Sequence, residues 1–131
     1  MIGDIAITSE QENYLKIKDG NYICSVEDSV LYYNPNSLTT ILDVIVLYYD
    51  PEDRIAKRVI AKYFFSINNR TLTLSELFRA LSLVSNRLSY NMSDDEIARE
   101  CKQLKGQVFG LNVKSKNKNN QVYKDLRLFR A

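Results

Sequence analysis

The chain has 131 residues, of which 45% are hydrophobic and 26% are charged, and its formal net charge is +2. This composition predicts a single globular domain and excludes an intrinsically disordered chain. No apolar run reaches the roughly 18 residues of a membrane span, and the first residues lack the basic start and apolar core of a signal peptide. We therefore expect a cytoplasmic protein without a membrane partner.

Histidine is absent, and Cys24 and Cys101 are the only cysteines. Without histidine, the chain lacks the usual base of serine and cysteine nucleophiles, and two cysteines alone cannot form a structural zinc site. We expect both thiols to be reduced and buried. The acidic clusters at residues 50–53 and 94–96 are interpreted as a turn and a first helical turn, not as a Mg²⁺ site. We predict no enzymatic activity, metal or cofactor.

Charge is unevenly distributed along the chain. Residues 1–53 carry two basic and ten acidic side chains, a net charge of −8. Residues 54–104 carry nine basic and five acidic side chains (+4), and residues 105–131 carry seven and one (+6). Such asymmetry indicates a polyanionic partner, unless the two signs intermix when the chain folds.

The first part of the chain has the side-chain period of β-strands. Residues 1–13 show no firm period and are interpreted as a tail or edge segment that precedes a domain over residues 14–131. β-Branched and aromatic residues predict strands over residues 22–33, 39–49 and 56–67. The short polar link between the second and third strands favours an antiparallel hairpin.

The period then changes to that of a helix. Apolar residues from Leu74 to Leu88 form one helical stripe, and a capping box at residues 73–76 is expected to open this helix. A second capping box at residues 93–96 predicts a shorter helix, which Gly106 is placed to end.

Two final strands complete the chain. They are predicted over residues 107–114 and 122–130, with a polar, basic loop at residues 115–120. Three strands, a helical segment and two strands give the order of a five-stranded OB-fold, β1-β2-β3-α-(α)-β4-β5, a mainly β barrel that commonly binds oligonucleotides. An α+β sheet with one covering helix shares this order and is the alternative fold.

Side-chain alternation predicts a surface of cations and aromatic rings. In the third strand, the parity opposite to the core contains Arg58, Lys62 and Phe64. In the last strand, the outward parity contains Tyr123 and Arg127. Aromatic rings stack on unpaired bases and neighbouring cations contact phosphates, so this pattern is typical of single-stranded nucleic-acid binding.

The binding face of an OB-fold consists of its second and third strands and the loops between strands one and two and strands four and five. We place Tyr32 and Tyr33 at the first loop and Lys116 and Lys118 in the second. The candidate nucleic-acid contacts are Tyr32, Tyr33, Arg58, Lys62, Phe64, Lys114, Lys116, Lys118, Tyr123 and Arg127. A packing role is the alternative for each aromatic, because Tyr and Phe are ordinary strand residues and a slip of one residue exchanges the two faces.

Five short motifs resemble those of a known family. They are LKIKDGNY at residues 15–22, the strand at residues 42–46, the helix at residues 74–88, LKGQVF at residues 104–109 and VYKDLRLF at residues 122–129. They are similar to motifs of a phage family of small single-stranded DNA-binding proteins, encoded beside recombination genes. The resemblance implies an OB-fold that coats single-stranded DNA during replication or recombination in the bacterial host cytosol.

One feature departs from such families. Many single-stranded DNA-binding proteins carry an acidic, disordered tail that recruits partners, whereas this sequence ends at Arg130-Ala131, directly after the last predicted strand. We therefore do not expect phage replication or recombination proteins, which are candidate partners, to be recruited through such a tail.

A protein-interaction module is the alternative function. Ile41, Ile45, Leu47 and Tyr49 share the second strand's other parity and form an apolar outward face. Exposed apolar stripes mark partner surfaces, so this face predicts a homodimer or another protein contact. A homodimer is compatible with DNA binding, whereas a pure interaction module would bind no oligonucleotide.

Overall fold

Five antiparallel strands form one sheet in the computed structural model, which describes residues 12–66, 70–81, 88–89 and 91–130. The strands are β1 (Gly20–Asn34), β2 (Thr39–Asp50), β3 (Ile55–Phe65), β4 (Val108–Lys118) and β5 (Gln121–Phe129). Their order in the sheet is β3-β2-β1-β4-β5. The mainly β fold and the β2–β3 hairpin are thus confirmed.

Short helices accompany the sheet. Residues 12–16 are helical (α1), and α2 (Arg70–Leu81) and α3 (Asp94–Cys101) lie between β3 and β4, where a helical segment was predicted. The 3-10 turn Lys102–Leu104 follows α3. The middle of the predicted stripe, residues 82–87, lies outside the described residues. None of the described helices has the length and apolar character needed to cross a membrane.

The two capping-box predictions have different outcomes. Ser93 caps α3 as predicted, because its hydroxyl accepts from the Glu96 amide at 3.2 Å while the Glu96 side chain accepts from the Ser93 amide. The prediction for Thr73 was wrong, because α2 already begins at Arg70. Thr73 is buried within α2 and donates its hydroxyl to the Phe64 carbonyl at 2.7 Å, which ties the helix to β3.

The β4–β5 hairpin is longer than predicted. Residues 115–118, expected in a loop, continue β4, and only Asn119 and Asn120 form the turn. Both asparagines have positive φ angles, 54° and 64°. A two-residue turn with two positive φ angles matches the twist of the strands, and asparagine tolerates this conformation better than most residues. Lys116 and Lys118 therefore lie on a strand, not in a loop.

A bulge in β1 reverses which residues face the core. The pairing register with β2 shifts between Val26 and Asp28. Before the shift, Cys24 and Val26 are buried, whereas Ser29 is buried after it. Because side chains alternate strictly along a strand, the inserted residue exchanges the faces of all positions that follow.

The core lies between the inner face of the sheet and the two longer helices. The core contains buried residues on the inward parity of β2, β3 and β5, namely Leu42, Val44, Val46, Val59, Ala61, Tyr63, Phe65, Leu126 and Leu128. The helices add Leu74, Leu77 and Leu81 of α2 and Ile97 and Cys101 of α3. Apolar residues at helical spacing on α2 thus bury one face of that helix, as the stripe predicts.

The two edge strands, β3 and β5, approach each other along a seam, although no backbone ladder joins them within the described residues. The Leu128 amide donates to the Tyr63 hydroxyl at 3.0 Å. Farther along the seam, α1 connects both strands: the Asn13 amide group donates to the Arg58 carbonyl at 3.0 Å, and the Tyr14 hydroxyl donates to the Lys124 carbonyl at 2.9 Å. Side chains therefore hold the two edges together.

Candidate nucleic-acid interface

Three predicted contact residues meet on the outer face of the sheet, and we call Tyr32, Lys62 and Phe64 the aromatic platform. Cross-strand pairing places Tyr32 of β1 and Phe64 of β3 on either side of Ile41 in β2. Lys62 lies two residues before Phe64 and therefore on the same face of β3. Tyr32 is 38% exposed and Phe64 is 43% exposed, so both rings are open to a ligand.

Asp43 of β2 connects the members of the platform. Lys62 Nζ donates to Asp43 Oδ1 at 2.8 Å and to the Tyr32 hydroxyl at 3.2 Å, and the Tyr32 hydroxyl also lies 3.4 Å from Asp43 Oδ1. The ammonium is 5.8 Å from the Tyr32 ring centroid, within cation–π range. Since β2 separates β1 from β3, the side chains of Tyr32 and Lys62 meet over β2 at Asp43.

These contacts favour the charged form of Lys62. Desolvation by burial acts to lower the pKa of Lys62. The hydrogen bonds that Lys62 donates to Asp43 and Tyr32 outweigh this effect and raise the pKa above its ordinary value. Lys62 is therefore a fixed cation at neutral pH, and the Asp43 carboxylate balances much of its charge. A phosphate bound at the platform would have to compete with this ion pair.

Tyr33 does not belong to the platform. It follows the β1 bulge with the parity of buried Ser29 and therefore lies on the opposite face from Tyr32. Both tyrosines lie in β1 itself, not in the loop where we expected them. The sequence prediction grouped two adjacent residues that a strand necessarily separates.

Arg58 is engaged in an ion pair away from the platform. Its Nε and Nη2 donate to the Glu27 carboxylate at 3.0 and 2.9 Å. Glu27 is the residue at the β1 bulge. A two-pronged guanidinium–carboxylate pair holds the arginine in one geometry, so Arg58 connects β3 to β1 as a structural residue.

Arg127 is likewise engaged, and its partners lie on both sides of the seam. It donates from Nη1 to the Lys62 carbonyl at 2.7 Å, and it forms ion pairs with Glu76 at 2.9 Å and Asp125 at 3.3 Å. Its guanidinium also lies 5.1 Å from the centroid of the Tyr63 ring. These contacts tie β5 to β3 and to α2, a role that the alternation pattern alone does not indicate.

The remaining predicted contacts lie on the β4–β5 hairpin, and we call Lys114, Lys116, Lys118 and Tyr123 the lysine hairpin. The three lysines alternate along the outer face of β4, and Tyr123 pairs with Lys116 across the hairpin. Lys116 forms an ion pair with Asp125 at 3.0 Å, and this hydrogen bond raises the pKa of Lys116. Lys114 and Lys118 are exposed, and neither has an ion pair within the described part of the chain.

The aromatic ring of Phe129, which shares the outward parity of Tyr123, packs against β4. Phe129 pairs with Gly110 of β4, and a methyl group at Gly110 would come within 2.2 Å of the Phe129 ring. The far end of the ring therefore lies directly over the backbone at Gly110, in space that a side chain there would fill. Of the aromatic residues on the outward parity of β5, Tyr123 is the exposed one, at 41%.

Sequence reasoning did not identify Asp43 as part of the site. A signal was present, because Asp43 is the only charged residue between Thr39 and Tyr49 in an otherwise apolar strand. A carboxylate in such a strand needs a cationic or donor partner, and its neighbours across the strands provide both. Glu27 and Glu76 have no such local signal, since their arginine partners are distant in sequence.

The apolar outer face of β2 is partly covered. Ile41, expected to face outward, is only 7% exposed, because Tyr32 and Phe64 flank it. Ile45 and Leu47 are partly buried, whereas Tyr49 is exposed. The outward apolar face expected for β2 is therefore narrower than the sequence indicates.

The cysteines and acidic clusters that the sequence analysis interpreted as structural lie in structural positions. Cys24 and Cys101 are buried and unpaired, and burial raises their pKa to about 11 and about 12. Asp50 forms an ion pair with Lys57 at 2.8 Å, and Asp94 begins α3. Within the described residues, no group of three or more carboxylates and thiols is placed to hold a metal ion.

In comparisons with known proteins, neither a family model nor a curated protein matches the chain.

Proposed function

We propose that this protein binds single-stranded DNA without sequence-specific readout of a defined site. The observation that carries the proposal is the aromatic platform, where two exposed rings and a lysine share the outer face of the sheet. Unpaired bases expose flat faces that stack on such rings, whereas duplex DNA buries these faces between base pairs. The same surface therefore favours single strands over duplexes.

We propose an OB-fold as the architecture of this site. The order of the elements, with helices between β3 and β4, and the approach of β3 to β5 support this assignment. In OB-folds, β2, β3 and the two loops named above form the ligand-binding face. The platform includes β3 and lies across β2, and the lysine hairpin leads into the turn between β4 and β5.

Both regions would contribute stacking and phosphate contacts. Bases stack on Tyr32, Phe64 and Tyr123, while the phosphates contact Lys62 and the lysines of the hairpin. Stacking contributes on the order of 1–3 kcal/mol per base. Arg58 and Arg127, although predicted as contacts, are already paired with carboxylates and are assigned to the structure in this proposal.

The biological role that fits this activity is the coating of single-stranded DNA in phage replication or recombination. This part of the proposal rests on the resemblance of the five sequence motifs to the phage family. It agrees with the charge distribution, in which the basic C-terminal part contains the lysine hairpin.

The proposal is tested by fluorescence anisotropy with labelled single-stranded and duplex DNA of equal length at several salt concentrations. We expect tighter binding to the single strand. If all four lysines contact phosphates, the slope of log affinity against log salt should be about −3, at about −0.7 per phosphate. The matched variants are Phe64→Ala, expected to weaken binding about tenfold, and Tyr49→Ala, an exposed aromatic outside the platform, expected to have no effect. Absence of binding to either DNA at low salt would overturn the proposal.

The second candidate function is a protein-interaction module. It is favoured by exposed apolar residues on the outer face of neighbouring strands, Ile23 of β1 and Val108 of β4. The sequence prediction placed this surface at Ile41, Ile45 and Leu47. Sedimentation of wild type, Ile23→Asp and Ile45→Asp distinguishes this function: an assembly that dissociates in Ile23→Asp, together with no oligonucleotide binding, favours it over DNA binding.

A further inference from the structure

We infer that Asp43 makes the aromatic platform select cytosine over thymine in a single strand. The inference rests on the proposed function, because it concerns which bases the same surface accepts. It goes beyond that function, since stacking on aromatic rings by itself does not distinguish one pyrimidine from the other.

The geometry leaves one carboxylate oxygen available. Asp43 Oδ1 accepts from both Lys62 and Tyr32, at 2.8 and 3.4 Å. Within the described part of the chain, no donor reaches Asp43 Oδ2, and the carboxylate is 16% exposed, so this oxygen is not sealed from solvent. A hydrogen-bond acceptor with a negative charge therefore lies on β2 between Val30 and Lys62, two residues along the strand from Ile41, which separates the two rings. A base stacked on the platform can present its edge to this oxygen.

The two pyrimidines differ in what they present to such an acceptor. At position 4, cytosine carries an amino group that donates, whereas thymine carries a carbonyl oxygen that accepts. A carboxylate accepts the cytosine amino hydrogen in a charge-assisted hydrogen bond. The only donor of thymine on this edge is its ring N3–H, which lies between two carbonyl oxygens that repel the carboxylate. Lys62 is already held by Asp43 Oδ1 and the Tyr32 hydroxyl, so the discrimination rests on Asp43 Oδ2.

A purely structural role for Asp43 makes a different prediction. If the carboxylate only neutralises Lys62, Asp43→Asn frees a cation and strengthens binding to all single strands alike. If it accepts from the base, Asp43→Asn removes the discrimination, because the asparagine amide can donate to thymine as well as accept from cytosine. The ratio of the two affinities separates the two roles, whatever the change in overall affinity.

The experiment compares the binding of oligo(dC) and oligo(dT) of equal length at neutral pH, by anisotropy, for wild type, Asp43→Asn and Asp43→Ser. We expect wild type to bind oligo(dC) about tenfold more tightly, and both variants to bind the two strands within about twofold. Asp95→Asn is the matched control, an exposed carboxylate at the start of α3, and should keep the wild-type ratio.

The outcomes separate this inference from the proposed function. Wild-type binding to both strands with equal affinity, or with oligo(dT) preferred, overturns the inference and leaves the proposed function intact. A cytosine preference that persists in both folded variants, as judged by circular dichroism, also overturns it. Absence of binding to either strand overturns the proposed function itself. The wild-type comparison decides the matter even if a variant does not fold.

Discussion

The aromatic platform and the lysine hairpin contain the same residue types but differ in how their charges are balanced. At the platform, Asp43 holds the cation Lys62 in an ion pair. On the hairpin, Asp125 neutralises Lys116 alone of the three lysines. Under the proposed function, this difference predicts that stacking dominates at the platform and phosphate attraction dominates on the hairpin, so that mutations separate the salt-independent from the salt-dependent part of the affinity.

The largest effect is expected when both rings of the platform are removed. Tyr32→Ala combined with Phe64→Ala should weaken single-strand binding about a hundredfold, because two stacked bases lose their partners. The slope of log affinity against log salt should barely change, because no cation is removed. Anisotropy titrations over a range of salt concentrations measure both quantities. A loss of less than about threefold would show that the platform does not contact bases.

Arg127→Ala is expected to affect stability more than binding. The variant loses contacts to the Lys62 carbonyl, Glu76 and Asp125 and leaves the two carboxylates without this partner. Chemical denaturation should show a decrease of about 2 kcal/mol in the free energy of unfolding. Below the unfolding transition, DNA affinity should stay near that of wild type. A stable variant with strongly weakened binding would instead place Arg127 in the interface.

The lysine hairpin should dominate the salt dependence. Replacing both Lys114 and Lys118 by alanine should reduce the magnitude of the salt slope by about 1.4, since each phosphate contact contributes about 0.7. The affinities of wild type and the double variant should therefore differ most at low salt. Lys105→Ala, which removes an exposed lysine before β4, serves as the control with an unchanged slope. An unchanged slope in the double variant would exclude the hairpin from phosphate contact.

The smallest effect is expected for Lys116→Ala. Because Asp125 already neutralises this lysine, its removal should change the slope by less than the 0.7 or so expected for an unpaired lysine. Salt titrations of Lys116→Ala beside Lys118→Ala make the comparison directly. Equal effects of the two substitutions would show that DNA displaces Asp125 from Lys116.

Alternation in the sequence was sufficient to predict much of the sheet. The buried parity of β3, from Val59 to Phe65, and that of β5, at Leu126 and Leu128, are as predicted. These strands have one apolar and one polar face, so the pattern and the burial coincide. For the same reason, the outward positions of Lys62, Phe64 and Tyr123 could be inferred from the sequence alone.

The pattern was insufficient where local geometry or distant partners decide the outcome. The β1 bulge exchanges the faces of Tyr32 and Tyr33, and no residue type near Glu27 indicates it. The role of Arg127 depends on Glu76, which lies on α2, a separate element. The extra length of the hairpin depends on positive φ angles at Asn119 and Asn120, a turn signal that was interpreted as a longer loop.

The seam between β3 and β5 also constrains the order in which the chain can assemble. Tyr14 and Lys124 are 110 residues apart in sequence, and Asn13 and Arg58 are 45 apart. Contacts between such distant residues form at a high entropic cost until the intervening strands have brought them together. α1 is synthesised before the five strands but lacks its contact with Lys124 until β5 follows. The first described segment of this protein is therefore among the last to be fixed in place.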